Sequence, residues 1–390
     1  MQKIINIGSN TNIDFISKNW IADNCDELVF VVSKTSSFAL FAEGIALGYL
    51  QEFLFSGKRL IIKFHNLSKK ISLSSLRNRH INSYADIINL DIPEILCGIF
   101  GLQLIYKSSG IYDAFSDLND PVQARGHIGS VIWKVLQNNK GQLGDGKSQY
   151  LICRHDYRIP AVLRGRDALS FPESDIFRNK ISPIIKTIGD EKVSSVDAKT
   201  LVGSWIYHIA ENAFEHGCVD TNDSLINGYS GILIQKITTP NEAAIDKRED
   251  LDTDSKAYLH RLYKDHGFSS KNTLTVVTVM DCGQGIHNTL PEKYTTLSDK
   301  ERLEHAFKRG VTRHKVSEGK SGYGLFDSIR AARKLNALFV VCSANLYSVK
   351  SFNELGGDAI KFSKNAIILT KNVGSSLSII WPSKSNYLRP

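Results

Sequence analysis

The sequence has few of the features that mark secreted, zinc-binding or membrane-spanning proteins. Its six cysteines are scattered along 390 residues, and no two of them form a C-x-x-C pair. This scatter argues against a disulfide framework and a structural zinc site, and it favours a reducing cytoplasm. The opening MQKIINIGSN has no basic stretch followed by an apolar core, so we expect no signal peptide.

Long apolar runs and dense blocks of charge are also missing. The longest apolar run, Ile92–Tyr106, contains Glu94 and Gln103 and is too short to span a bilayer. We therefore expect a cytoplasmic protein that makes no membrane contact. The net charge of +8 is spread along the chain without a block of Lys or Arg. Such a balance permits an anionic partner, such as a nucleotide, a nucleic acid or an acidic protein, but does not require one.

The first half of the chain has the pattern of an α/β domain. Glu27–Ser33 and Arg59–Phe64 have the composition of strands, and Phe38–Phe55 between them has that of a helix. Elements of these lengths predict a right-handed crossover between parallel strands. The order resembles that of STAS domains, the small α/β modules that partner bacterial anti-sigma kinases. We interpret residues 1–180 as a regulatory or partner-binding domain, and we place the boundary in the stretch Ser170–Asp197.

The stretch Gly141–Ser148, GQLGDGKS, fits the Walker A pattern of phosphate-binding loops. That motif needs a strand before it and a helix after it, so that backbone N–H groups and the helix N-terminus meet the phosphates. Here a helix-like stretch, Ile128–Gln137, comes before, and a strand-like stretch, Tyr150–Arg154, comes after. We therefore interpret GQLGDGKS as a Gly-rich turn between two elements.

In the second half, the stretch Trp205–Gly217, WIYHIAENAFEHG, predicts a helix with one apolar and one polar face. It contains no Lys or Arg, although a solvated helix normally carries some. The polar face groups His208, Glu211, Asn212 and Glu215. A carboxamide among carboxylates and imidazoles suits a magnesium or phosphate site, because its carbonyl oxygen is a ligand for hard cations. The alternative is an ordinary amphipathic helix with an acidic side.

Two Gly-containing stretches follow. The apolar strand Leu274–Met280 ends in DCGQGI, where Asp281 precedes two glycines. An Asp there can accept a hydrogen bond from an exocyclic amine such as that of adenine, and the glycines let a planar base approach the backbone. The alternative is a plain turn. Further along, GKSGYGL opens a helix, Leu325–Asn336, and a Gly-rich loop before a helix N-terminus forms a phosphate cradle.

The E-N-x-x-x-H helix, the strand ending in D-x-G-x-G and the helix opened by G-x-G-L have the order and spacing of the GHKL family. Gyrase, heat-shock chaperone ATPases, MutL and sensor histidine kinases belong to it. The resemblance covers Val196–Pro382. It implies an α+β two-layer sandwich of the Bergerat type, in which helices cover one face of a mixed β-sheet. We therefore expect a GHKL ATP-binding domain over residues 181–390, with a surface insertion at 240–272 and a lid at 287–319.

The resemblance also implies ATP and Mg²⁺ as cofactors and assigns roles by motif position. Asn212 would bind magnesium, and Asp281 would accept a hydrogen bond from adenine N6. The remaining implied nucleotide contacts are His216, Gly283, Gly285, Lys320, Gly322, Gly324 and Leu325.

One position departs from the hydrolytic members of the family, which carry a Glu four residues before the Asn to activate water. Here that position is His208, and sensor kinases often have a non-acidic residue there. Glu211 is next to Asn212, but it lies about 100° around the helix from it. His208 and Glu211 are the candidate catalytic residues, and ATP binding is better supported than hydrolysis.

We expect a nucleotide-dependent regulatory ATPase or switch, in which lid closure alters contacts with a partner. The first alternative is a histidine or serine protein kinase of the anti-sigma type. No stretch resembles the H-E-x-x-T-P acceptor box, and His127 is the nearest candidate. The second alternative is an ATP-driven nucleic-acid or defence-type assembly, for which no aromatic-basic motif is present. A second copy of the chain is a further candidate partner.

Overall fold

The computed structural model divides the chain into two compact units, Met1–Gly144 and Asp145–Pro390, and each unit is considered by itself. In the first unit the structure describes residues 2–8, 11–20, 25, 27–32, 41–42, 45–46, 49, 59–64, 86–88 and 142–144. In the second unit it describes residues 148–154, 171–188, 196–217, 229–248, 251–266, 269, 272–281, 283–311, 323–352, 360, 362, 367–368 and 374–383. The division falls earlier in the chain than the boundary predicted at residue 180.

The first unit contains a four-stranded sheet made, in spatial order, of Gln2–Ile7 (β1), Glu27–Val32 (β2), Arg59–Phe64 (β3) and Asp86–Ile88 (β4). The first three strands pair in parallel, and β4 pairs with β3 in the antiparallel sense. This confirms the parallel pairing predicted for the second and third strands. Between those two strands, four buried positions are helical at the spacing of one helix face: Ala42, Ile45, Ala46 and Tyr49. They lie within the predicted helix, whereas the STAS-like interpretation stays a prediction.

The GQLGDGKS stretch has a strand at each end, Gln142–Gly144 (β5) and Ser148–Arg154 (β6). A strand rather than a helix follows it, which agrees with its interpretation as a turn, while residues 145–147 lie outside the described residues. β6 also shows why the second unit begins earlier than predicted. It pairs along its whole length with Tyr229–Thr238 (β7), which belongs to that unit.

The second unit is built on one large sheet, whose other strands are Thr273–Asp281 (β8), Leu338–Ser343 (β9), Leu346–Ser351 (β10), Ile367–Ile368 (β11) and Ser375–Pro382 (β12). Within this unit the seven described strands lie in the order β11-β10-β9-β12-β8-β7-β6. Each strand pair whose register is described, from β6 to β11, is antiparallel. The mixed sheet implied by the resemblance is therefore not what the described pairs form. β12 comes last in the sequence but is a central strand between β8 and β9.

Helices cover one face of this sheet, here called the front face. The helix Ile13–Asn19 (α1) belongs to the first unit. The described helices of the second unit are Ser174–Ile188 (α2), Val196–His216 (α3), Glu242–Ile245 (α4), Thr253–His266 (α5), Asp299–Ala306 (α6) and Gly324–Lys334 (α7). α3 packs between α2 and α7, and its Trp205 and Ile209 join the core against alternate residues of the sheet, including Val277 and Ile379. α2 occupies the stretch predicted as a domain boundary, and it continues through Pro183 although that residue has no N–H to donate.

The opposite face, here called the back face, is covered by the segment predicted as a surface insertion. Side chains of α5 are buried there, and the Tyr258 hydroxyl donates to the Ile380 carbonyl at 3.1 Å. The Arg261 guanidinium donates to the Phe352 carbonyl at 2.7 Å. Every residue of β9 and β12 is buried, so both faces of these strands are covered. The expectation of a sheet covered on one face is therefore wrong, and α5 is part of the fold.

The part of the predicted lid that the structure describes, residues 287–311, packs against the sheet. α6 begins with a capping box in which Ser298 and Glu301 satisfy each other's backbone N–H groups. Leu303 and Phe307 are buried in the front core, and the Phe307 ring meets the Phe339 ring edge-on at 5.7 Å between centroids. Residues 312–319 lie outside the described residues. Among the described helices, none has the length and apolar character needed to cross a membrane.

Candidate functional site

The front face ends in a cleft where three elements that are distant in the sequence meet. α3, the C-terminal end of β8 and the N-terminal end of α7 form its walls, and β12 and the turn after β8 complete it. The residues that line the cleft are Ile209, Asn212, Ala213, His216, Gly217, Val279, Asp281, Gly285, Ile286, Thr289, Leu325, Ser375 and Leu377. The floor is thus apolar, with an amide, an imidazole, a carboxyl and two hydroxyls at its rim.

Four polar residues in register, here called the polar row, cross the edge of the front face: Ser230, Asp281, Ser375 and Ser343. Asp281 lies opposite Ser230 on one side and opposite Ser375 on the other, and Ser375 lies opposite Ser343. Directly opposite residues of antiparallel strands point to the same face. All four are buried. The row therefore forms the polar end of the front face, and two of its members, Asp281 and Ser375, line the cleft.

Asp281 is the charged member of the polar row. Its carboxyl accepts hydrogen bonds from the Gly283 N–H at 2.9 Å and from the hydroxyl and N–H of Ser375. Burial raises the pKa of this carboxyl to about 7, and the three hydrogen bonds oppose part of that rise. The group is therefore poised to change charge near neutral pH, and it retains lone pairs for a ligand N–H.

Two glycines allow the end of α3 to touch the end of β8. A Cβ placed on Gly217 would lie 2.4 Å from the Cβ of Asp281 and 2.5 Å from its Cγ. A Cβ placed on Gly283 would lie 2.7 Å from the Cα of Gly217. Only hydrogen fits at both positions, and this contact brings the polar face of α3 next to the carboxyl. Gly283 belongs to a predicted motif, whereas no role was predicted for Gly217.

Gly285 fixes the path of the chain after β8. Its φ of +89° lies in a region that side chains disfavour, and a Cβ there would lie 2.6 Å from the Ala344 nitrogen. The turn Ile286–Thr289 that follows forms one wall of the cleft. The glycine predicted here to flank a base therefore lines the cleft and holds this wall against the end of β9.

Asn212 lines the cleft with its side-chain amide. Its Nδ2 donates to the His208 carbonyl at 2.7 Å, which fixes the orientation of the amide and directs Oδ1 away from the helix backbone. The N-terminus of α7 is close, because a Cβ on Gly324 would lie 3.2 Å from the Asn212 Nδ2. The structure thus brings together a neutral oxygen ligand and the N–H groups that open a helix.

His208 lies one helical turn before Asn212, beside the same end of α7. Its Nδ1 is buried and has no hydrogen-bond partner among the described residues. Burial lowers the pKa of the imidazole, Asp327 on α7 raises it and Arg178 on α2 lowers it. The ring is therefore neutral at physiological pH. A buried nitrogen without a partner costs stability, and such atoms are concentrated at sites that bind a ligand.

Glu211 has a different position from the other residues of its motif. Its Oε1 accepts a hydrogen bond from the Tyr207 hydroxyl at 3.1 Å, and it is not among the residues that line the cleft. Tyr207 packs against Phe171 and Phe177 at centroid distances of 5.5 and 5.7 Å. Glu211 thus faces an aromatic cluster between α2 and α3, and the structure does not bring it to Asp281.

The predicted phosphate loop is only partly described. Gly324 is the first residue of α7, and Leu325 lines the cleft. The side chain of Tyr323 makes no capping hydrogen bond to the helix, and the Arg309 guanidinium lies 5.2 Å from the centroid of its ring. Lys320 and Gly322, the other predicted contacts of this loop, lie outside the described residues.

Sequence reasoning missed part of the site because strand register determines it. Ser230 and Ser343 join Asp281 only through pairing across four strands, which no local pattern reveals. Ser375 lies in the stretch GSSLSIIWP, whose composition indicates a strand but does not reveal its neighbours. His287, whose Nδ1 lies 3.1 Å from the Ser343 Oγ, had no signal in the sequence. Among the described residues, no group of three or more His, Cys, Asp or Glu is placed to hold a metal ion.

Comparisons with protein-family models, curated proteins and solved structures gave no match to this chain. The GHKL resemblance therefore rests on the residues themselves.

Proposed function

We propose that the second unit is a GHKL-type nucleotide-binding domain that takes ATP with Mg²⁺, and that the protein is a nucleotide-dependent regulatory ATPase or switch. The observation that carries the proposal is the meeting of Asn212, Asp281 and the start of α7 around one cleft. These residues come from three separate sequence motifs. If the three short motifs matched the family by accident, there would be no reason for their residues to meet in one cleft.

The chemistry of the cleft fits an adenine ring at the β8 end. Val279 and Leu377 supply an apolar floor, and Asp281 supplies a buried acceptor for the exocyclic amine. A buried acceptor that pairs only with the right ring discriminates strongly, because the wrong ring leaves it unsatisfied. Gly283 and Gly285 have no side chain on this side of the cleft. A side chain at Gly283 would clash with the end of α3, and one at Gly285 would clash with the end of β9.

The phosphates and the cation fit at the α7 end. The Asn212 Oδ1 is a neutral ligand for Mg²⁺, which usually keeps several waters and binds substrate phosphates. A site with one amide ligand therefore suits a cation that arrives with the nucleotide. The N–H groups that open α7 are next to Asn212, and a helix N-terminus favours phosphate. Lys320 and Gly322 stay predicted contacts here.

His208 supports slow hydrolysis and hence a switch. Its imidazole is neutral, and burial disfavours the protonated form that a general base must reach. A nearby dication disfavours that form further. ATP would therefore persist in the cleft and hold the bound state until a partner acts.

Calorimetry with the full chain tests the proposal. We expect ATP to bind with Mg²⁺ and to bind weakly when the metal is chelated. Asn212→Ala should abolish the magnesium dependence. The neighbouring Glu211→Gln is a matched control, because it keeps an acceptor for Tyr207 and lies away from the cleft. Wild-type protein that binds no adenine nucleotide, or an unchanged magnesium dependence in Asn212→Ala, contradicts the proposal.

A further inference from the structure

A buried histidine ties the wall of the cleft to the sheet. His287 is the second residue of the turn Ile286–Thr289, and the residues at both ends of that turn line the cleft. Its own side chain points the other way, where its Nδ1 lies 3.1 Å from the Ser343 Oγ. Only 1% of His287 and none of Ser343 is exposed. This is the most deeply buried histidine described, and the function proposed above does not use it.

The bond ends on the polar row. Ser343 lies opposite Ser375, and Ser375 donates to the Asp281 carboxyl through its hydroxyl and its N–H. Ser343 therefore holds the turn that forms the wall of the cleft, and its neighbour in the polar row, Ser375, holds the Asp281 carboxyl. Two other bonds of the turn are local: the Asn288 Nδ2 donates to the Gln284 carbonyl at 2.8 Å, and the Thr289 hydroxyl donates to the Ile286 carbonyl at 2.7 Å. These fix the shape of the turn but not its position on the sheet.

The surroundings of His287 keep its imidazole in the neutral state, so its hydrogen bond to Ser343 does not change across the physiological pH range. Burial lowers the pKa of the imidazole to about 4, while Asp299 raises it and Arg302 lowers it. Those two α6 side chains form an ion pair with each other, so their opposing charges largely cancel at the ring. The imidazole is neutral throughout the physiological range, and one hydrogen is shared between its Nδ1 and the Ser343 hydroxyl.

We propose that His287 is a positioning residue for the adenine end of the cleft, acting through its hydrogen bond to Ser343. The bond holds Ile286 and Thr289 at the distance from Asp281 that a planar ring requires. His287 itself does not touch the ligand. The inference rests on the proposed function, and it assigns the affinity for the base to a residue outside the cleft.

The experiment compares ATP affinity with fold stability in four variants of the full chain: His287→Ala, Ser343→Ala, the double variant and His287→Asn. Each single alanine should weaken magnesium–ATP binding about 3- to 10-fold, the range of one neutral hydrogen bond. The double variant should bind ATP no more weakly than the weaker-binding single variant, because the two single substitutions remove the same hydrogen bond. His287→Asn should restore most of the affinity, since the Asn Nδ2 occupies nearly the position of the His Nδ1.

Ser378→Ala is the matched control. Ser378 lies on the same strand as Ser375 but on the back face, and its Oγ lies 2.7 Å from the Thr278 Oγ1. Removing this equally buried bond should lower the melting temperature in a similar way and leave ATP affinity unchanged. Equal losses of affinity in Ser378→Ala and Ser343→Ala would mean that the effect is general loosening, and would overturn the inference.

Hydrogen exchange without nucleotide separates this inference from the proposed function. The amides of Ile286 and Thr289 should exchange faster in His287→Ala than in wild type or Ser378→Ala. If wild type binds no ATP, the proposed function fails and this measurement still reports on the wall. If wild type binds ATP but the affinity is unchanged in His287→Ala, the inference fails while the proposed function stands. Additive losses of affinity in the double variant have the same meaning.

Discussion

The two faces of strands β8 and β12 are both buried, but they hold their polar groups in different ways. On the back face, Thr278 and Ser378 bond to each other, and Tyr258 bonds to a backbone carbonyl. On the front face, the polar row contains Asp281, whose pKa is raised by burial. Polar groups that satisfy one another stabilise a fold, whereas a carboxyl buried against its preference costs stability and is typical of a binding site. The comparison favours the front edge as the binding side in the function proposed above.

The largest expected effect follows from giving the front edge a stronger base. We expect slow ATP turnover by wild type and about 10²–10⁴-fold faster phosphate release by His208→Glu. Burial disfavours the charged imidazolium but favours a neutral carboxyl, so a Glu one turn before Asn212 should accept a proton more readily than His208 does. Steady-state phosphate release by wild type, His208→Ala and His208→Glu measures this. Fast wild-type turnover that both substitutions abolish would identify His208 as the base, against this prediction.

The next effect comes from neutralising the front-face carboxyl. Asp281→Asn replaces an acceptor with an amide, and losing a hydrogen bond to a charged group costs about 1.5–3 kcal/mol. We therefore expect ATP affinity to fall about 10- to 150-fold in calorimetry. Asp254→Asn on α5 is the control, because burial also raises the pKa of that carboxyl, but it lies away from the cleft. Unchanged ATP affinity in Asp281→Asn would contradict the adenine assignment.

The same substitution should change stability in the opposite direction. A carboxyl whose pKa is higher in the folded state stabilises the fold when protonated, so its contribution is complete below pH 3.8 and is lost as the pH rises through about 7. Asp281→Asn removes this loss. Its stability relative to wild type should rise between pH 4 and 7 and level off above, reaching on the order of 2–4 kcal/mol. Denaturant unfolding of both proteins across this pH range measures the difference. If it does not rise with pH, ionising the Asp281 carboxyl costs the folded state no stability.

The sequence predicted the local elements of this site well and its long-range arrangement poorly. Periodicity predicted α3 and α7, and composition predicted the strand β8, because these elements bury continuous apolar faces. It misread α5, whose charged composition concealed the few buried residues that cover the back face. It also missed the polar row, because register across β7, β8, β12 and β9 depends on pairing between residues far apart in the sequence, such as Asp281 with Ser230 and with Ser375.

A smaller effect is expected where α3 touches the front edge. In Gly217→Ala the new methyl would lie 2.4 Å from the Asp281 Cβ, and such overpacking typically costs about 1–3 kcal/mol of stability. The carboxyl must also move, so ATP affinity should fall. Gly203→Ala, on the same helix, meets only the flexible Arg178 side chain at 3.1 Å and should be neutral or gain up to about 1 kcal/mol. Equal behaviour of the two variants in unfolding and calorimetry would refute the tight contact.

The smallest effect should come from the back face. Tyr258→Phe removes the hydroxyl that donates to the Ile380 carbonyl at 3.1 Å and should lower the free energy of unfolding by about 0.5–1.5 kcal/mol. Burial raises the pKa of the Tyr258 hydroxyl, so it remains a donor at every working pH. The loss should therefore be the same from pH 5 to 8, unlike that at Asp281. ATP affinity should stay within about twofold of wild type, because the sheet separates this bond from the cleft. A larger loss of affinity would mean that α5 transmits strain through β12, and that the two faces do not act independently.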